Sequence, residues 1–186
     1  MESIRYEAPR SLDEAVRLLN AETGAVPLAG GTDLLVQFRA GVKPLSAFVD
    51  LKRIPELMGI AIDDDGLRLG AAVPAAAIGE HAELARLWPG LADAVRLIGS
   101  TQIQGRGSVG GNLCNGSPAA DTTCALIVSR AECLIVGPSG ERRVPVEAFC
   151  TGPGRTVLGR GELLVAVHVP RPAPRTADAY LRLIPR

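Results

Sequence analysis

Apolar residues recur at helical spacing over Leu12, Ala15, Val16, Leu18 and Leu19, just after Ser11 and with Glu14 three positions beyond it. That pattern predicts an amphipathic helix opened by a capping box, with Ser11 as N-cap and Glu14 at the third helical position. Gly24 closes the helix, and Ala25 to Ala29 is a short apolar run of strand type. Gly30-Gly31-Thr32-Asp33 turns the chain into a further helical turn at Leu34 to Phe38, and Phe48-Val49-Asp50-Leu51 is the next strand. With a strand-like piece in the first five residues, segment 1–53 forms a strand–helix–strand–helix–strand unit suited to parallel pairing.

From residue 54 onward the texture changes. Ile54 to Leu57 is a turn. Asp63-Asp64-Asp65-Gly66 lies between Gly59-Ile60-Ala61-Ile62 and Leu67 to Ala71, a hairpin signal. Helical spacing predicts one helix over 74–87, interrupted at Trp88-Pro89-Gly90, and a second from Leu91 to Ile98 ending at Gly99. Trp88 is expected in the core beside that turn. A helix over 121–129 follows, and then a hairpin of 133–136 and 143–146 around Gly137-Pro138-Ser139-Gly140. Glu147 to Phe149 is a single helical turn, and 151–156 is loop. Glu162 to Val169 is an apolar strand closed by Pro170, and Tyr180 to Ile184 has the pattern of a strand just beginning. The boundary between a first subdomain, 1–53, and a second, 54–186, falls at this change of texture.

Between the helices lies Gly105 to Asp121, GRGSVGGNLCNGSPAAD, which cannot be one continuous helix or a central strand. Its glycines let a backbone approach a ligand closely, and successive N–H groups in such a turn form a concave nest for an anion. Ser108, Asn112, Asn115 and Ser117 add short side chains able to hydrogen-bond a ligand or their own loop. Two readings stand on this stretch alone, a phosphate-cradling loop and an ordinary surface loop. Gly30-Gly31-Thr32-Asp33 carries a similar pair: a helix start aimed at an anion, or a tight Asx-capped turn. It matches neither the Walker A loop nor the GxGxxG fingerprint. Taken together, the two glycine segments suit the two anionic faces of a dinucleotide pyrophosphate.

Lys+Arg and Asp+Glu both number 20, which argues against nucleic acid or an anionic membrane held by bulk electrostatics. No apolar run approaches the ~20 residues of a membrane span, and the first residues lack the apolar core of a signal peptide. A cytoplasmic location is therefore expected. Cys114, Cys124, Cys133 and Cys150 form no CxxC pair, so a zinc ribbon is disfavoured and buried reduced thiols are expected, with no metal site. His81 is a surface or packing histidine, and His168 follows the alternation of its strand.

The chain resembles the FAD-binding medium subunit of the molybdenum hydroxylases, the family of carbon monoxide dehydrogenase, xanthine dehydrogenase and aldehyde oxidase. The residues that carry the resemblance are Ala29-Gly30-Gly31-Thr32-Asp33-Leu34-Leu35, Ser108-Val109-Gly110-Gly111-Asn112-Leu113 and Ser117-Pro118-Ala119-Ala120-Asp121. Tyr6-Glu7-Ala8-Pro9, Val49-Asp50-Leu51, Leu69-Gly70-Ala71 and Tyr180-Leu181-Arg182 match in the same order. The resemblance implies an α+β, two-subdomain FAD-binding fold of the vanillyl-alcohol-oxidase/PCMH type, with a small βαβ-like subdomain and a larger mixed-sheet one. It implies that Leu28, Ala29, Gly30, Gly31, Thr32 and Asp33, with Ser108, Val109, Gly110, Gly111 and Asn112, wrap the FAD pyrophosphate and ribityl region. Asp121 then accepts hydrogen bonds from the sugar or adenine side. Thr101 and Arg106 flank the second segment, and Leu163 or Leu164 packs near the flavin or adenine.

The same resemblance implies an oxidoreductase subunit whose side chains act as no acid, base or nucleophile. Electrons pass from [2Fe–2S] clusters in a small subunit through FAD to an acceptor such as NAD⁺, a quinone or oxygen. A molybdopterin large subunit oxidises the substrate. Family members continue into a C-terminal α/β domain that this sequence lacks, so either a truncated or split gene product or a second polypeptide that completes the fold is expected. A stand-alone flavin oxidoreductase and a truncated partner-binding remnant are the alternatives.

Overall fold

The computed structural model describes residues 4–42 and 45–183. The first strand, β1 (Arg5–Glu7), is followed by α1 (Leu12–Ala21), β2 (Ala25–Leu28), α2 (Leu34–Arg39) and β3 (Ala47–Asp50). Of the strand expected in the first five residues, 1–3 lie outside the described residues. Both β1 and β2 pair in parallel with β3, giving the order β1-β3-β2. Ser11 Oγ accepts the Glu14 N–H at 3.3 Å, and the Glu14 carboxylate accepts the Arg10 N–H at 3.1 Å. The capping box therefore forms on one side, while its return bond goes to the residue before the cap. Ala15, Val16 and Leu19 are the buried stripe of α1.

A 3-10 turn (Pro55–Leu57) leads to β4 (Ile60–Ile62) and β5 (Gly66–Gly70). Six helices follow: α3 (Ala75–Gly79), α4 (Ala82–Leu87), α5 (Pro89–Arg96), α6 (Thr101–Gln104), α7 (Val109–Asn115) and α8 (Asp121–Val128). The chain then forms β6 (Glu132–Gly137), β7 (Gly140–Pro145), the turn α9 (Val146–Phe149), β8 (Cys150–Gly152), β9 (Arg155–Thr156) and β10 (Leu163–Pro170). The larger sheet has the order β4-β5-β10-β6-β7, antiparallel throughout. Its middle strand is the last one in sequence among the described residues. Five consecutive buried residues of β10, Leu163 to Val167, explain why it reads as continuously apolar. The register slips between Leu164 and Ala166, and Val165 turns its carbonyl to the Ala71 N–H at 2.9 Å.

Four expectations need correction. The single helix over 74–87 is two helices, because His81 leaves the helical region and becomes an N-cap whose Nδ1 accepts the Leu84 N–H at 3.2 Å. The segment 109–115 is helical rather than loop. Ser108 caps its first turn, and Gly116, at φ +59°, ends it in the left-handed conformation. The loop 151–156 holds a two-stranded pairing, β8 with β9. No strand begins at Tyr180 among the described residues; Ile184 lies outside them. There 171–183 forms a strap tied down by side chains, with Asp178 accepting the Gly90 N–H at 3.2 Å. Trp88 is buried as expected, and its indole N–H donates to the Pro170 carbonyl at 3.2 Å.

Candidate functional site

The two glycine segments meet. A Cβ on Gly30 would lie 2.0 Å from the Arg106 carbonyl oxygen, so only glycine allows this backbone approach. Arg106 Nε in turn donates to the Gly30 carbonyl at 3.1 Å. Lys52 Nζ donates to the neighbouring Ala29 carbonyl at 2.9 Å and pairs with Asp50 Oδ1 at 2.6 Å. The Tyr6 hydroxyl donates to the other Asp50 oxygen. Burial acts to raise the Asp50 carboxyl, but the hydrogen bonds from Lys52 and Tyr6 outweigh it and hold it below its ordinary value. Gly31 takes φ +76° and delivers the chain into α2. The N–H groups of Gly30, Gly31, Thr32 and Asp33 find no acceptor among the described residues.

In the second segment Ser108 Oγ accepts the Gly111 N–H at 3.0 Å. Gly110 packs onto β5's exit, where a Cβ would fall 2.4 Å from the Ala71 carbonyl. A Cβ on Gly111 would meet only Ser108 Oγ, at 3.1 Å, and otherwise stand in the open cleft. The Gly110–Gly111 pair thus divides its duties: the first glycine is for packing, the second for space. Asn112 Oδ1 accepts the buried Thr122 hydroxyl at 2.8 Å, and Asn115 Oδ1 accepts Gln37 Nε2 at 3.0 Å across the gap to α2. Asp121 Oδ1 accepts the Tyr180 hydroxyl at 3.1 Å and lies 3.5 Å from Arg182 Nε. Burial first, and then that bond to Asp121, push the Tyr180 hydroxyl up.

Both segments line one cleft of about 650 Å³. Residues 29–33, Ser108, 110–112, Asp121 and Leu164 all lie on its wall. Leu28 and Val109 are core side chains beneath it, and Thr101 is exposed at the start of α6; none of the three lines the cleft. Sequence reasoning passed over Ile98 and Ile103 on the apolar wall, whose spacing is indistinguishable from that of ordinary helix packing. It also passed over Leu158 and Glu162, brought in by the turn before β10, which no local pattern connects to the glycine segments. The wall carries the carboxylates of Asp33, Asp121 and Glu162, and among the described residues it includes no Lys or Arg. Among the described residues, the donors that the wall offers an anion are backbone N–H groups, hydroxyls and side-chain amides.

Glu162 is held by a bidentate fork from Arg142, Nε to Oε1 at 2.8 Å and Nη2 to Oε2 at 2.7 Å, and accepts the Gly159 N–H at 2.7 Å. The Arg142 fork is the main reason its carboxyl falls from 4.5 to about 2. A carboxyl held lower in the folded chain than in the unfolded one contributes stability that is complete above pH 4.5 and lost as pH falls toward 2. Thermal unfolding followed from pH 6 to 2 is expected to show that loss in the wild type and a flatter profile in Glu162→Gln. Equal slopes for the two proteins would contradict the assignment.

Two of the cysteines expected to be buried are not. Cys114 and Cys124 are exposed, while Cys133 is buried and Cys150 half-buried. Cys114 opens on the cleft, and crowding by the wall, with Cys150 nearby, raises its thiol above the ordinary value. At neutral pH it is a thiol, not a thiolate.

Residues 2–172 match the family described as the FAD binding domain in molybdopterin dehydrogenase. Among curated proteins, the xanthine dehydrogenase FAD-binding subunit of Escherichia coli O157:H7 is 37% identical over 179 residues, covering 95% of this chain and 61% of its own length. The carbon monoxide dehydrogenase medium chain of Hydrogenophaga pseudoflava is 37% identical over 180 residues, covering 96% and 62% respectively. The chain thus spans about three fifths of the length of these relatives. A solved structure of carbon monoxide dehydrogenase from H. pseudoflava, lacking the Mo-pyranopterin moiety of its cofactor, superposes with a TM-score of 0.94 at 33% identity. That match covers all of this chain and 65% of the other. Quinoline 2-oxidoreductase from Pseudomonas putida 86 gives a TM-score of 0.88 at 29% identity, covering 92% of this chain and 60% of that one. Among the described residues no helix is long and apolar enough to cross a membrane.

Proposed function

Because the chain belongs to the family of FAD-binding domains of molybdopterin dehydrogenases, we propose that its cleft holds FAD as the flavin module of a heteromeric molybdenum-dependent oxidoreductase. The observation that carries this reading is the convergence of two glycine segments, 76 residues apart at Gly30 and Arg106, on one wall where the Gly30 and Gly31 N–H groups find no acceptor among the described residues. The fit is chemical as well as spatial. A diphosphate suits donors that carry no Cβ, and the cleft offers those of Gly30 and Gly31 and the open surface over Gly111.

Residues 29–33 and Ser108 with 110–112 hold the pyrophosphate and ribityl region in this reading. Leu28 and Val109 support the two segments from beneath, and Thr101 opens the helix that carries Ile103 to the wall. The carboxylate of Asp121 suits hydroxyl or amino donors of the sugar or adenine side, and Leu164 offers an apolar surface to a ring. When bound, FAD supplies a carrier that takes up electrons singly from one-electron donors and can release them in pairs. This chain's part is to bind, orient and shield that group. The segments 1–53 and 54–186 act as two subdomains forming opposite walls of the site.

By analogy with relatives named as medium chains and FAD-binding subunits, we assign it a molybdopterin large subunit and a [2Fe–2S] small subunit as partners, in the cytoplasm. Electrons then run from the iron–sulfur clusters through FAD to an external acceptor. Purification of the chain from its own host with whatever associates with it tests this. Stoichiometric flavin absorbance together with molybdenum and iron is expected. A complex that contains both metals and no flavin would overturn the reading.

A further inference from the structure

A diphosphate must find its counter-charge somewhere, and among the described residues the cleft wall has carboxylates but neither Lys nor Arg. Two cations stand directly behind the first glycine segment instead. Lys52 Nζ holds the Ala29 carbonyl at 2.9 Å, and Arg106 Nε holds the Gly30 carbonyl at 3.1 Å. Neither side chain lines the cleft. A trans peptide keeps its C=O and N–H antiparallel, and no cis peptide occurs among the described residues. Turning the Ala29 carbonyl toward Lys52 therefore turns the Gly30 N–H the opposite way, and the Arg106 bond does the same for the Gly31 N–H. Both N–H groups lack an acceptor among the described residues, and both residues face the cleft.

We infer that Lys52 and Arg106 are positioning residues that fix two successive peptides so that the Gly30 and Gly31 N–H groups point at the cofactor's anionic group. The inference rests on the flavin reading of the cleft. The two cations differ in what restrains them. Lys52 is oriented by Asp50, itself gripped by the Tyr6 hydroxyl, so a relay from β1 and the end of β3 reaches the loop. Arg106 makes no ion pair among the described residues, and its carbonyl is the atom that Gly30 abuts. Its main chain and its side chain thus grip the same residue from two sides. Each bond is charge-assisted, the stronger class of hydrogen bond, and neither carbonyl has another donor among the described residues.

The test is FAD titration of the full chain, wild type against Lys52→Met, Lys52→Arg, Arg106→Gln and Arg106→Lys. Loss of either charge-assisted bond is expected to weaken FAD about tenfold, with the Arg and Lys replacements recovering most of it. The second readout is the amide signals of isotopically labelled Gly30 and Gly31 at FAD saturation. They shift on flavin binding in the wild type and shift much less in Lys52→Met and Arg106→Gln. Variants that bind FAD like the wild type overturn the inference and leave the flavin reading standing. Weaker binding with wild-type amide shifts at saturation also overturns it, since a general loss of structure would do that. A wild-type chain that binds no FAD overturns the flavin reading, and the inference falls with it.

Discussion

Gly30→Ala is expected to lose bound flavin completely and to destabilise the chain by about 2–3 kcal/mol, the scale of overpacking a close contact. The added Cβ would sit 2.0 Å from the Arg106 oxygen, 2.6 Å from its carbonyl carbon and 2.9 Å from the Gly107 nitrogen. All three are backbone atoms, so no side-chain rotation relieves the clash. The two segments must part by more than an ångström, and the Arg106 bond to the Gly30 carbonyl is stretched beyond use. The cleft would survive as a hollow with its donors misdirected. The flavin-to-protein ratio and the melting temperature check this together. A variant that keeps its flavin would show that the segments need not touch.

Trp88→Ala is expected to cost more stability, about 3–5 kcal/mol, in the range for truncating a buried large aromatic. Trp88 is 2% exposed, and its indole N–H satisfies the carbonyl of Pro170 at the end of β10. Truncation leaves a cavity between the α4–α5 junction and the central strand of the larger sheet, along with a carbonyl short of its donor. Since small domains hold only about 5–15 kcal/mol in total, this one change removes a large share. Urea unfolding measures it directly as a fall in midpoint. A Phe replacement is expected to recover the packing but not the hydrogen bond. A loss below about 1 kcal/mol for Ala would show that the site collapses around the gap.

Local signals made much of this fold legible. The Ser11–Glu14 spacing marks the start of α1 because a cap is a contact within one turn. The Asp63–Gly66 and Gly137–Gly140 hairpins are likewise visible, since turn chemistry is local. What stayed hidden was set from a distance. Gly110-Gly111 looks like loop because two glycines weaken a helix, but the Ser108 cap and the fit of Gly110 against Ala71 hold them in α7. The apolar end Tyr180-Leu181-Arg182-Leu183 resembles a strand by pattern. In the structure Tyr180 and Arg182 attach to Asp121 instead, a contact across about sixty residues that no window reveals.

The cleft divides the same way. Its glycines and short polar residues are legible as a pair of motifs, and the wall includes nearly all of them. Its apolar side, Ile98, Ile103 and Leu158, is composed of residues that any core would use. The division between Gly110 and Gly111 is visible only in three dimensions. It also decides which variant is informative, because a side chain at Gly110 strikes the Ala71 backbone whether or not a cofactor binds.

We propose that the space over Gly111 belongs to FAD. The most direct measurement is FAD titration of Gly111→Leu beside Gly105→Ala, a control whose nearest contact, the Gln102 carbonyl, is an ordinary 3.7 Å away. Leucine favours a helix over glycine by roughly 0.5–1 kcal/mol, so Gly111→Leu is expected to melt within a few degrees of the wild type. The predicted result is stoichiometric FAD binding by the wild type and by Gly105→Ala, and none by Gly111→Leu. Undiminished binding by a folded Gly111→Leu would contradict the account.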